Sequence, residues 1–183
     1  MSKSQSSQAV LSFWFDETTP QQWYQKDDDF DELIRTRFEP TIAAALAGRL
    51  DSWANDSDGC LALIILLDQF TRNIYRDTPR AFSGDEMALA LSLRCAERDF
   101  LVHENASYRQ FMLMPMMHSE ELKIQEDSLP LFEKLTEPKT YEYAVKHRNI
   151  IARFGRFPHR NAILGRPSTE EETQFLTQPG SSF

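Results

Sequence analysis

Apolar residues in this chain return every three or four positions, the spacing of one face of an α-helix. No segment shows sustained alternation between turn signals, so no strand is expected. Val10, Leu11 and Trp14 predict a short helix over Gln8–Asp16, which the TTPQQ segment and Pro20 bring to an end. Asp27, Asp28 and Asp29 precede Phe30, Leu33, Ile34 and Phe38, an acidic start followed by an apolar stripe. Pro40 is expected to end or kink that helix, with Thr41–Ala47 continuing it and Gly48 stopping it. NDSDG (Asn55–Gly59) has loop chemistry.

The stretch from Gly59 to Arg76 is different in kind. Cys60–Leu67 is apolar all round, which marks a buried helix. Its continuation then turns polar on one side. Asp68, Arg72 and Arg76 recur every fourth residue, with Gln69 and Asn73 beside them. These five residues span about 140° of the helix surface, while Phe70 and Ile74 fall on the opposite arc. A core helix is therefore expected to end in a concentrated polar face, and Asp68 is spaced to pair with Arg72.

Ser83-Gly84-Asp85-Glu86 reads as a capping box for a helix to about Asp99. Tyr108–Met117 is aromatic and methionine-rich, with Pro115 interrupting it, and His118–Glu121 opens the next helical stretch, kinked near Pro130. Thr140 is expected to cap a helix over Tyr141–Phe154, on which Tyr143, His147, Ile150, Ile151 and Phe154 share a face before Gly155. Gly165 and Pro167 mark another break, and Ser168 with Glu171 predicts a second capping box for a last helix through Leu176. Eight or nine helices with short connections mean an all-α fold. At 183 residues the chain is expected to form a single domain over 1–183, with flexible ends at 1–7 and 177–183.

Charge changes this picture. The chain carries −8, yet Ala144–Thr169 holds six Lys/Arg and no carboxylate, leaving −14 for the rest. The overall acidity argues against nucleic acid as a partner, although RFGRFPHRN interleaves Phe with Arg. The longest apolar run is too short to cross a bilayer and no apolar signal core follows the polar MSKSQSSQ start, so the reading is cytoplasmic with no membrane partner. Cys60 and Cys95 form no CxxC and are expected as buried reduced thiols.

Four motifs together resemble a known family. They are VLSFWF (Val10–Phe15), LDQFTRNIYRDTPRAF (Leu67–Phe82), MPMMHSE (Met114–Glu120) and HRNIIARFGRFPHRNAILGRPSTEEE (His147–Glu172). The chain resembles the bacterial domain-of-unknown-function family numbered 924. That resemblance implies a tetratricopeptide-like right-handed array of antiparallel helix pairs and brings no activity with it. One departure is Thr71, where the family commonly carries Pro.

The candidate chemistry rests on the residues. Arg binds carboxylate or phosphate bidentately. One expectation is therefore a pocket for a small anion or an acidic peptide terminus, built from Asp68, Gln69, Arg72, Asn73 and Arg76 with Arg153, Arg156, His159, Arg160 and Asn161. An alternative is hydrolase-like acid–base work by His118 or His147 with Glu120. A third is an interaction scaffold in which the arginines merely close on carboxylates. His118 and Glu121 are three apart, yet there is no HExxH and no cysteine cluster, so no metal and no cofactor are expected. No P-loop, nucleophile elbow or dinucleotide-binding glycine pattern is present.

Overall fold

A computed structural model describes residues 4–182. Among them are only helices and loops. α1 (Ser7–Ser12) runs into a π-helical turn at Phe13–Glu17, followed by α2 (Asp28–Leu46). α3 (Ser57–Ile64) continues without a break through a π-helical segment, Ile65–Phe70, into α4 (Thr71–Ile74). α5 (Asp85–Glu97), α6 (Ala106–His118), α7 (Leu122–Leu135), α8 (Pro138–Phe154) and α9 (Glu170–Leu176) complete the chain. Counting α3 and α4 as one rod, the described residues form eight helices. The flexible ends expected at 1–7 and 177–183 lie partly outside the described residues, at 1–3 and 183. Residues 4–6 are bonded: Gln5 donates to Thr41 Oγ1 at 2.8 Å and Ser6 caps α1.

The apolar run does what its composition dictates. Residues 59–70 are all buried, and α3 packs against α1, α5 and α6. Around it lies an aromatic nucleus of Phe13, Trp14, Phe38, Phe70 and Phe111, with ring centroids 5.0–5.9 Å apart in edge or tilted pairs. α5, α6, α7 and α8 pack each against the next. Their connections are a few residues long, so α6, α7 and α8 alternate in direction. No helix among the described residues is long and apolar enough to cross a membrane.

Several local expectations are corrected. None of Pro40, Pro115 and Pro130 ends its helix, and the chain after Pro40 continues as helix as expected. Buried neighbours such as Phe38, Thr41, Met114 and Met116 outweigh one missing N–H. Asp56 ends the presumed loop by capping α3, accepting from Gly59 N at 2.8 Å. His118 closes α6 instead of opening the next helix, because Ser119 turns extended and α7 starts at Leu122. Thr140 does not cap α8, which starts at Pro138; its hydroxyl donates to Gln110 at 2.9 Å. The second capping box is shifted by one residue to Thr169 and Glu172. Ser168 Oγ instead accepts from Asn161, and Glu171 reaches outward to Arg153.

The correction at α5 matters most for the site. Ser83 does not cap it; its hydroxyl turns back to the Arg80 carbonyl at 2.7 Å. Gly84 takes the cap position because the backbone is pressed against α3 there. A Cβ on Gly84 would sit 2.2 Å from the Leu67 carbonyl oxygen. That close approach sets the first residue of α5, Asp85, beside the polar end of the central helix.

Candidate functional site

The polar face of the central helix splits in two. Arg76 and Asn73 turn toward α2 and grip Asp31, with Arg76 Nε and Nη2 at 2.7 and 2.9 Å and Asn73 Nδ2 at 2.7 Å. Asp68, Gln69 and Arg72 turn toward α5 and α6. Asp68, 1% exposed, accepts from Arg72 Nη1 at 3.0 Å and from Gln69 Nε2, and lies 2.8 Å from His118 Nδ1. Arg72 also forks onto Asp85 at 2.9 and 3.1 Å. The π-helical stretch Ile65–Phe70 widens the helix where these groups diverge, a place such bulges favour.

The basic island supplies a sixth member. Arg160, in a 3₁₀ turn after α8, reaches back to bond the His118 carbonyl at 3.0 Å and approaches Asp85 at 3.5 Å. Its guanidinium lies between the rings of Phe82 and Phe157, 4.8 and 4.5 Å from their centroids. Its Nε is buried without a hydrogen-bond partner among the described residues. Asp68 thus holds the imidazole directly, Arg72 bridges Asp68 to Asp85, and Arg160 is fixed on the His118 carbonyl.

Electrostatics fix the protonation. Burial alone would raise the Asp68 carboxyl, but Arg72 and the His118 hydrogen bond outweigh it and hold it well below the usual range. Burial, helped by Arg72 and Arg160, pushes His118 below its ordinary 6.5, against the pull of Asp68. Burial and the neighbouring Arg72 bring Arg160 down to about 10, still charged at neutral pH. An ionised carboxylate only accepts, so His118 Nδ1 must carry the hydrogen. A neutral His118 then has its lone pair on Nε2, which meets no hydrogen-bond partner among the described residues. The side chain is 17% exposed.

A second cluster sits beside the first. Glu120 accepts from Arg166 Nη1 and Nη2 at 2.6 and 2.9 Å and from Phe157 N at 2.7 Å. Arg166 Nε donates to Asn161 at 3.0 Å, and Asn161 donates to Ser168 and Glu172. Arg156 forks onto Glu172 at 2.7 and 2.8 Å. That pairing draws the Glu172 carboxyl down to about 2. Burial opposes the drop at Glu120, whose carboxyl Arg166 and the Phe157 N–H nonetheless lower.

The residues singled out from sequence therefore scatter over five places. Asp68, Gln69, Arg72, His118 and Arg160 come together. Glu120, Arg156 and Asn161 belong to the second cluster, Asn73 and Arg76 to Asp31, and Arg153 pairs at the surface with Glu171 at 2.8 Å. His147 and His159 flank Phe157, at 5.6 and 5.5 Å between ring centroids. His147 lies 6.2 Å from the His118 ring and bonds the Tyr143 carbonyl through Nδ1. Burial pushes His147 down to about 3 and His159 down to about 4. The carboxylate that holds His118 is Asp68 and not Glu120, because Ser119 turns extended after α6 and Glu120 is taken up by Arg166 and the Phe157 N–H. Asp85, Arg166, Glu172 and Asp31 were not expected. Asp85 was hidden by its role as a helix-start acid, and the others have no local pattern.

No group of three or more His, Cys, Asp or Glu among the described residues is placed to hold a metal ion. The model of a family described as bacterial proteins of unknown function, DUF924, matches residues 10–180. The chain belongs to this family. A solved protein of unknown function from Agrobacterium tumefaciens is similar to this DUF924 chain, with 35% identity and a TM-score of 0.88. The likeness covers 93% of this chain and 96% of that one. A search of curated proteins gives no match. The fold of this DUF924 member is thus shared with a solved relative, and its chemistry has to be argued from its own side chains.

Proposed function

We propose that this protein acts on a small anionic substrate at the His118–Arg160 corner, with His118 as general base. The observation that carries the reading is the 2.8 Å contact between Asp68 and His118 Nδ1, with Nε2 left unpartnered. A buried carboxylate that orients an imidazole and steadies the imidazolium is what a catalytic base needs. Arg72 keeps Asp68 ionised, so the orienting charge is permanent. Arg160 supports the anionic preference, since it sits against His118 and has a buried N–H without an acceptor. The reaction class is proton removal from a substrate or from a water attacking it, a hydrolase-like role.

An anion pocket spread over all the expected arginines draws less support. Arg72, Arg76, Arg153 and Arg156 are each engaged with a carboxylate within 3.0 Å. We also read the chain as one cytoplasmic domain. The support for one domain is a single buried core cluster running from Val10 to Ala144; in a cytoplasmic compartment Cys60 and Cys95 would stay thiols.

The test is to incubate a bacterial small-molecule extract with wild type and with His118→Gln, and to follow it by mass spectrometry. The expected result is a depleted anionic species and a matching product with wild type alone. Identical profiles for the two proteins would overturn the reading.

A further inference from the structure

Leu63 on α3 and Leu67 in the π-helical segment that continues it lie about one turn apart, and beside them opens a cavity of about 250 Å³. Its other walls are Met87 and Leu91 from α5 with small alanines, so the lining is mostly apolar. Two charged residues reach it, Asp51 and Arg94. Asp51 is exposed and keeps its water. Arg94 is half-buried in the last turn of α5, and its Nε is fully buried with no hydrogen-bond partner among the described residues.

Arg94, like Arg148 and Arg160, has a buried Nε without a hydrogen-bond partner among the described residues, and of these three it is the one that lines this cavity. Arg37, Arg72, Arg76, Arg153, Arg156 and Arg166 each close on a carboxylate. Arg94 pairs with none among the described residues, in a chain rich in acid. A guanidinium does not shed its charge, so a cation with no carboxylate partner at the wall of a mostly apolar cavity favours an anion there, held by the terminal N–H groups of Arg94. A dry cavity of roughly 150 Å³ with such walls takes a benzene-sized guest, so this one suits about six to eight heavy atoms.

We propose that the cavity between α3 and α5 binds a short branched or cyclic aliphatic monocarboxylate, its tail against Leu63, Leu67, Met87 and Leu91 and its carboxylate on Arg94. The site is separate from the His118 corner: Leu67 and Asp68 point to different sides of the central helix.

The probe is 4-methylpentanoate, followed through the methyl groups of Leu63, Leu67, Met87 and Leu91 in ¹H–¹³C spectra of the full chain. Saturable shifts confined to those methyls are expected at millimolar ligand. Arg94→Gln should weaken binding by about tenfold or more, and the neutral 4-methylpentanamide should bind wild type at least about tenfold more weakly than the acid. Ala90→Phe plugs the exposed mouth without touching the core and should abolish the shifts. His118→Gln should leave the titration unchanged, so this site is read independently of the His118 reading. Absence of saturable shifts in wild type, equal binding of acid and amide, or full binding by a folded Arg94→Gln would each overturn the proposal.

Discussion

The Asp68 cluster and the Glu120–Glu172 cluster use the same parts. Each has two carboxylates and two arginines, and each joins segments distant in sequence. They differ in what is left over. In the second cluster the forks of Arg156 and Arg166 are spent on Glu172 and Glu120, and the amide of Asn161 bridges what remains. In the first, an imidazole is bonded to Asp68 through one nitrogen, and the other has no hydrogen-bond partner among the described residues. A saturated network holds elements together, whereas one holding an oriented, unsaturated base is also able to move a proton. Charge density alone does not separate the two, and the hydrogen-bond count at each atom does.

Arg72→Ala should strain this comparison most. It leaves Asp68 buried with only Gln69 and His118 as partners, and breaking a buried pair costs about 3–5 kcal/mol. Urea titration should show the midpoint falling with the slope unchanged. A loss below about 1 kcal/mol would mean that Asp68 is not charged in the folded protein.

Acid should separate the clusters next. His147 is 5% exposed and is held neutral by burial, at about 3 against an ordinary 6.5. Its folded value is lowered, so the unfolded chain binds the extra proton as pH falls below 6.5, and stability drops with pH. His147 alone contributes a loss of about 2 kcal/mol by about pH 5, and His159 adds in the same direction. Glu172, lowered to about 2, keeps its pair with Arg156 through that range. Melting temperature should thus begin to fall near pH 6.5, and His147→Gln should flatten that limb. An onset only near pH 4.5, where ordinary carboxyls titrate, would contradict the buried neutral imidazoles.

Arg166→Ala should cost less than Arg72→Ala. Arg166 and Glu120 side chains are 25% and 28% exposed, so water solvates the carboxylate left behind. A loss of about 1–2 kcal/mol is expected from the same urea experiment. A cost equal to that of Arg72→Ala would erase the distinction between the clusters.

How much of this the sequence exposed follows from the range of each interaction. The all-helical fold and the buried run at 60–67 were legible because periodicity is local. Asp68 with Arg72 was legible because both sit on one helix face at i,i+4 spacing. Asp85 was not, since Ser-Gly-Asp-Glu carries the same letters whether Ser83 caps the helix or Gly84 is squeezed against Leu67. The partners of the arginines were also hidden. Glu120 meets Arg166 across 46 positions and Asp31 meets Arg76 across 45, and no local rule links them. The basic island thus allowed either an anion pocket or arginines closed on carboxylates, and the fold sends Arg153, Arg156, Arg160 and Arg166 to four separate acids.

His118→Gln is expected to have the smallest effect on folding. Glutamine keeps a donor for Asp68 and fills much of the same space, so the loss should be that of one adjusted hydrogen bond, about 0.5–1.5 kcal/mol. Arg72 still neutralises Asp68, which separates this change from Arg72→Ala. Before mutation, ¹⁵N shifts of the His118 ring should report hydrogen on Nδ1 and a bare Nε2 at pH 7, with protonation delayed to below 6.5. Hydrogen on Nε2, or a ring already charged at pH 7, would remove the base from the site and make the first cluster a clamp like the second. A His118→Gln protein destabilised by about 3 kcal/mol or more, as expected for Arg72→Ala, would point the same way, because a residue kept for proton transfer has no reason to carry the fold.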